Sequence, residues 1–494
     1  MMVGMAGAAL LPVITVDRRA QAPLRRQIYD GYRAAILRGD LRPGQQLPSS
    51  RALAVELGVS RFPVLDAYSQ LLTEGYFEAR IGAGTFVSEC LPDQLTSVET
   101  AARGSASMDS GPRRMSRRSS RVPYFEDYPW RHGWGAFGVH QPALDQFPFR
   151  VWSSLTARHS LSPRASAIHH IDPLGSEPFR KAICHYLRTA RAVRCEPYQI
   201  MIVSGSQQAL EITARVLLDA GDSVWLEEPG YSLQRAVLLG SGCRLVPVPV
   251  DEEGLNVSAG IKRARKARAA FVTPSHQYPL GSTMSASRRL QLLNWAHTSG
   301  SWIVEDDYDS EYRYGSMPIA SLQGLDGNLR VIYIGTFSKV LFPSLRLGYI
   351  VIPPDLVERF SAIRFVMDIF PPYLNQEVMT DFMNEGHFAR YIRKMRTLYG
   401  KRRTVLVASL RESFGDELEI SGAEAGMHLA VLLAKDLRDI QIAFRAAKER
   451  LWLWPLSTSY LSESPRQGFV LGFGSVPSDL IPHAVRRLRA CILG

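Results

Sequence analysis

Apolar positions in the first zone of the chain repeat at helical spacing, and from about residue 128 onward they gather into short continuous runs. Leu24, Ile28, Tyr32 and Ala35 stand at i, i+4, i+8 and i+11, which predicts a helix with one buried face. Pro23 opens it, where a missing N–H costs little, and Gly39 ends it. The stretch 41–50, LRPGQQLPSS, reads as a turn. Ser49 or Ser50 then caps a short second helix, Arg51–Leu57, with Gly58 just past its end. Ser60 caps a third helix with Val64, Tyr68 and Leu71 as its buried stripe, and Pro63 falls in its first turn. Residues 76–87, YFEARIGAGTFV, place two β-prone runs around Gly82–Gly84, a hairpin. Two short helices joined by a glycine turn and followed by a hairpin predict a winged helix-turn-helix over residues 15–89.

Residues 90–127 are poor in large apolar side chains and rich in Ser, Arg, Gly and Ala. Such a stretch buries too little surface to offset chain entropy, so it is expected to be a flexible linker. Across 128–494, apolar strands alternate with helical patterns, which predicts a parallel α/β sheet.

With 494 residues, more than one core is expected. The net charge of +11 permits a polyanion partner without requiring one. It does not single out the first zone, because residues 1–128 carry only +3 of it. Any basic surface there must be local. The five cysteines show no CxxC pair, which excludes a disulfide scaffold and a zinc finger and fits a reducing compartment. No apolar run reaches the length of a membrane helix, and the apolar start Met1–Ile14 lacks the basic residues of a signal peptide.

Chemistry gathers at two places. In the first zone, the third helix opens with Ser60-Arg61, so a hydroxyl, a guanidinium and helix-start N–H groups converge, a set suited to phosphates and base edges. Arg51 and Arg80 add charge at the second helix and the wing. In the large zone, five strand ends stand out. QIMIVSGSQQAL (199–210) runs from a strand through Gly205-Ser206 into a helix start, a possible phosphate cradle. SVWLEEPGY (223–231) delivers Tyr231, which can stack on a planar ligand or serve the core. FVTPSHQYPLG (271–281) is a polar, proline-rich loop at a strand's carboxyl end, where open α/β sheets bind ligands. WIVEDDYDSEYRY (302–314) crowds acids around Tyr308. That crowding is costly unless a cation, a protonated ligand or solvent relieves it. VIYIGTFSKVLFPSLRLGY (331–349) ends a strand at Lys339, and a lysine so placed can lose its proton and form a Schiff base.

These residues resemble two families. The run from Pro23 to Val87 is similar to the winged helix-turn-helix of GntR-type bacterial regulators. The resemblance implies that Arg51, Ser60, Arg61 and Gly84 contact operator DNA. Phe62-Pro63 replace the polar residue and Thr that often follow Ser-Arg in that family, which bears on base preference. Residues 129–494 resemble fold-type I aminotransferases, which implies pyridoxal 5'-phosphate as cofactor. By that resemblance Lys339 forms the internal aldimine, Asp306 pairs with the pyridine nitrogen, Tyr308 bonds the 3'-oxygen and Tyr231 stacks on the ring. Gly205, Ser206, Gln207, Thr336 and Arg346 hold the phosphate. No metal is expected. Tyr278 stands where aminotransferases often place the asparagine that bonds the 3'-oxygen. His170 stands where a tyrosine is frequent in the segment facing the partner subunit. The final strand, Gly468–Gly474, lacks the arginine that binds a substrate carboxylate, and Arg466 is the nearest substitute.

The combination resembles the MocR/GabR type of regulator. It implies a homodimeric, cytoplasmic bacterial transcription factor that senses an amino compound, or the cofactor itself, through aldimine chemistry at Lys339. The alternative is a working aminotransferase carrying a DNA-binding head. A third reading, a repressor whose body is a scaffold without cofactor, is disfavoured by the retention of Lys339, Asp306 and Tyr308.

Overall fold

The computed structural model describes residues 14–91, 113–123, 126–161, 172–314, 320–434, 437–461 and 466–493. Of the sequence expectations, most of the linker (92–112), the first residues of the chain and His170 lie outside them. Two compact units divide between Arg114 and Met115.

The head is built from α1 (Leu24–Leu37), α2 (Ser50–Glu56), α3 (Arg61–Thr73) and the hairpin β1 (Phe77–Arg80) with β2 (Gly84–Val87). The predicted stripes are the buried ones: Ile28, Tyr32 and Ala35 on α1, and Val64, Tyr68 and Leu71 on α3. Tyr32, Tyr68 and Phe77 meet edge to face at ring-centroid distances of 5.2 to 5.6 Å, which locks the wing to the helices. Ser49, not Ser50, caps α2 by accepting the Ala52 N–H at 3.2 Å. Ser60 stands at the N-cap of α3 but its hydroxyl makes no capping bond. The wing pairs Arg80 with Gly84 across its turn.

In the body, one sheet runs in the order β3 (Ile200–Val203), β10 (Gly348–Val351), β9 (Val331–Thr336), β8 (Trp302–Asp307), β7 (Ala269–Val272), β4 (Ser223–Glu228), β5 (Arg244–Asp251) and β6 (Gly254–Leu255). Strands β9, β8, β7, β4 and β5 are parallel, as predicted. β10 runs against both neighbours, so the sheet is mixed. A parallel return needs a crossover, usually helical, and only the loop 337–347 separates β9 from β10. The four central strands are buried on both faces, which explains their continuous apolar runs. Leu226, Phe271, Val304 and Ile332 pack with Leu210 on one side. Trp225, Ala270, Ile303 and Val331 pack on the other, where Trp225 stacks on Trp295.

A second, antiparallel sheet has the order β11 (Glu419–Ser421), β12 (His428–Leu432), β14 (Gly468–Gly472), β13 (Trp454–Pro455). It shares a core with the helices His387–Phe414 and Ile481–Leu493 through Leu429, Leu471, Leu406 and Leu488. Residues 119–121, within the expected linker, form a turn of 3-10 helix on the body, where Arg121 donates to the Gly242 carbonyl at 3.4 Å. Among the described residues, no helix is long and apolar enough to cross a membrane.

Candidate functional site

The carboxyl ends of β4, β7, β8 and β9 open on one cavity, lined by His140, Ser206, Tyr231, Gln234, Thr273, Tyr278, Asp306, Tyr308 and Lys339. Separate stretches of sequence supply these groups because parallel strands bring every strand-to-helix loop to the same edge. The structure thus collects most of the predicted residues.

Strand alternation sorts the acids of β8. Glu305 and Asp307 point to one face and Asp306 to the other. Glu305 is buried and accepts the N–H groups of Leu322 and Gln323 at 3.0 Å each. Asp307 accepts from Arg191 Nε at 2.9 Å and from the Tyr333 hydroxyl. Both acids therefore hold the fold together. Asp306 faces the cavity, and its Oδ1 is buried without a hydrogen-bond partner. Burial, and then Asp307 beside it, push the Asp306 carboxyl up to about 7. A buried acid in that condition suits a cationic or protonated ring nitrogen.

Lys339 follows β9 by three residues and lines the same cavity. Burial pushes its ammonium down to about 8, against the opposing pull of Asp309 and Asp306. About a tenth of it is then neutral at pH 7, far more than for an ordinary lysine, which favours attack on a carbonyl carbon. Burial, and then the Asp306 charge, push the Tyr231 hydroxyl up to about 12. Burial likewise raises Tyr278 above its ordinary range, so both stay neutral donors.

At the other end of the cavity, the helix Ser206–Leu217 begins at Gly205, whose φ of +102° is a backbone conformation that L side chains rarely adopt. A Cβ at Gly205 would lie 3.3 Å from the Arg346 Nη1. The guanidinium and the helix N-terminus therefore converge, a composite anion site. Gln207 follows in that first turn. Thr336 is committed locally, accepting the Ser338 N–H at 3.2 Å. These groups fit pyridoxal phosphate: an anion cradle, a flanking phenol, an unpartnered acid for the ring nitrogen and an amine of lowered proton affinity. Arg466 does not join them. It is exposed and paired with Glu419 at 2.7 Å.

Sequence reasoning missed His140, Gln234, Thr273 and a buried cluster behind Tyr308. His140 reaches the cavity from a loop where it adopts φ +65°, and nothing in its neighbourhood of sequence marks it. His276, Asp309 and His428 bring potential metal-ligand atoms within 4.8 Å of one another, a group the expectation of no metal did not consider. His276 lay in a segment already singled out.

In the head, Arg51, Ser60, Arg61, Arg80 and Gly84 are all exposed. Arg61 Nε donates to the Ser50 hydroxyl at 3.1 Å, which ties the start of α3 to the start of α2. The free Ser60 hydroxyl and exposed Phe62 stand beside it. Arg80 is already engaged, with Nε 2.6 Å from Glu78 and Nη2 3.1 Å from Glu89. Gly84 has φ +109°, with the Gln46 amide 3.4 Å from where a Cβ would stand.

Comparison with known proteins adds the lineage. Residues 24–87 match the family of bacterial regulatory proteins, gntR family, and residues 149–464 match aminotransferase class I and II. The chain is 39% identical to the probable rhizopine catabolism regulatory protein MocR of Rhizobium meliloti, covering 97% of this chain and 96% of that protein. It is 30% identical to the pyridoxine biosynthesis transcriptional regulator PdxR of Corynebacterium glutamicum, covering 95% and 96%. Among solved structures it is similar to LysN, an α-aminoadipate aminotransferase from Thermus thermophilus complexed with N-(5'-phosphopyridoxyl)-L-leucine. The TM-score is 0.71 and the identity 26%, over 77% of this chain and 97% of that one.

Proposed function

The chain belongs to the MocR-type transcription regulators, a GntR head joined to a fold-type I aminotransferase body, and we propose that its body binds pyridoxal phosphate and reads a small amino compound, or the cofactor itself, to control operator binding. The observation that carries this is the unpartnered Asp306 Oδ1 in one cavity with Lys339. Bound there, the cofactor supplies an aldehyde that condenses reversibly with primary amines. Lys339 would present its Nζ, Asp306 would hold a proton at the ring nitrogen, Tyr308 and Tyr278 would offer hydroxyl donors, Tyr231 would flank the ring, and Gly205, Ser206, Gln207 and Arg346 would bind the phosphate, with Thr336 at the end of β9. The cofactor's aldehyde would be open to an effector amine as well as to Lys339, and an effector that favours one of two states of the body would bias the DNA heads.

Regulation is favoured over turnover because the residue expected to orient a substrate carboxylate, Arg466, is paired with Glu419 at the surface. The regulator is taken to act in the bacterial cytoplasm as a homodimer, with operator DNA on the face of Arg51, Ser60, Arg61 and Gly84. The test titrates amino compounds into the cofactor-loaded protein while recording absorbance and operator binding together. A compound that moves both supports the reading. If the protein shows no lysine-linked absorbance and no cofactor-dependent operator binding, the reading fails.

A further inference from the structure

Tyr308 touches a second layer that neither strand-end chemistry nor the cofactor assignment uses. His276, from the loop after β7, places Nδ1 3.0 Å and 3.2 Å from the two carboxylate oxygens of Asp309 and 3.1 Å from the Tyr308 hydroxyl. His276 and Asp309 are each only 2% exposed. We propose that this buried imidazole–carboxylate pair fixes the Tyr308 hydroxyl proton so that it points into the cavity, as a donor to the ring oxygen of the cofactor. The proposal rests on the cofactor reading above.

One ring nitrogen faces three oxygens. A carboxylate only accepts, and Asp309 Oδ2 also accepts the Met427 N–H at 3.2 Å, so Nδ1 carries the hydrogen that Asp309 receives. A nitrogen that donates cannot accept. Tyr308 therefore cannot give its proton to His276, and among the described residues its hydroxyl has no other hydrogen-bond partner. That proton is left for whatever fills the cavity beside Lys339. Burial, and then the Asp309 charge, hold Tyr308 well above its ordinary pKa, so it stays a donor at every working pH.

The surroundings are built for the pair. Gly426, at φ +71°, would carry a Cβ 2.0 Å from His276 Cε1 and 2.5 Å from Asp309 Oδ2. Only a residue without a side chain lets that loop close over both. The charged and titratable groups facing Tyr308 from the other elements are Asp306 and Glu227 among the acids, Lys339 on the next loop, and the rings of Tyr278, His140 and His428. His140 and His428 are held well below the ordinary histidine range by burial, so neither competes as a cation. His276 Nε2 is left with a lone pair, buried and without partner, next to the His428 ring. A metal ion there would use that lone pair, and the test includes it.

A donor to the ring oxygen favours its ionised form, and so lowers the pH at which the lysine-linked chromophore gives up its proton. The experiment titrates that chromophore by absorbance in the full-length, cofactor-loaded protein. Tyr308→Phe and His276→Leu are each expected to raise the midpoint by about a pH unit, a tenfold gain in proton affinity. His276→Asn, which keeps an N–H near the Nδ1 position, should stay within about threefold of the parent. Asp309→Asn, which weakens the hold on Nδ1 without emptying the cluster, should shift it in the same direction as His276→Leu. In a Tyr308→Phe background, His276→Leu should add nothing, because the imidazole acts only through that hydroxyl. The proposal is overturned if His276→Leu and Asp309→Asn both leave the midpoint in place, if the His276→Leu shift survives without the tyrosine hydroxyl, or if a chelator moves the parent midpoint as far as His276→Leu does. A parent protein with no lysine-linked chromophore would instead overturn the cofactor reading itself, and this inference with it.

Discussion

Asp306 and Asp307 are consecutive on one strand and face opposite ways: Asp306 lines the cavity, and Asp307 is buried in an ion pair with Arg191 at 2.8 Å. The two should answer differently to the same substitution. Asp307→Asn breaks a buried ion pair and leaves a guanidinium without its counter-charge, which costs about 3–5 kcal/mol of folding stability. Asp306→Asn removes a carboxylate that burial already disfavours and should leave the cofactor-free protein at least as stable. Its cofactor affinity should fall by about ten- to a hundredfold, the worth of a charge-assisted hydrogen bond. Urea unfolding of the cofactor-free variants and cofactor titration separate the two effects.

Lys339→Ala should abolish the covalent link while the protein still folds, because the side chain lines a cavity. Mass spectrometry after borohydride reduction reads the link. A reduced adduct on another lysine would displace Lys339 from its role.

Loading of the cofactor onto Lys339 should be pH-dependent with a definite sign. Condensation needs the neutral amine, and burial places its pKa at about 8. The rate should rise about tenfold per pH unit up to that value and then level. Stopped-flow absorbance from neutral pH into the alkaline range measures it. A rise that continues to the ordinary lysine range would show that burial does not tune this group.

The head offers an internal contrast. Arg51→Ala or Arg61→Ala should weaken operator binding by about 1–3 kcal/mol per lost contact. Arg80→Ala should do less, because its guanidinium is engaged with Glu78 and Glu89. Fluorescence anisotropy with an operator duplex at fixed salt ranks the three. Equal losses would place Arg80 on the DNA in spite of its acid partners.

Transamination should be slow or absent. Arg466, the one candidate for a substrate carboxylate, is turned to the surface, and a misplacement of about 1 Å costs about a hundredfold in rate. A panel of amino donors and keto acids should give less than about 1 product per second, the low end of ordinary enzymes. Faster turnover would promote the fused-enzyme alternative.

The sequence by itself determined the elements and named most of the residues that line the cavity. Helical spacing on α1 and α3 marked their buried faces because a helix repeats its exposure about every 3.6 residues. Continuous apolar runs marked strands covered on both sides. Lys339, Asp306 and Tyr231 were legible because each stands just past, or at the end of, such a run, where a parallel sheet opens. Tertiary structure alone decided the rest. The reversal of β10 depends on which strand its short loop can reach. Whether Arg466 or Asp307 is available depends on partners distant in sequence, Glu419 and Arg191. His140, His276, Asp309 and His428 come from separate stretches of the chain, and no local pattern announces that they meet. Periodicity records how a residue sits on its own element, whereas a hydrogen bond between loops is fixed only once the sheet has brought them to one edge.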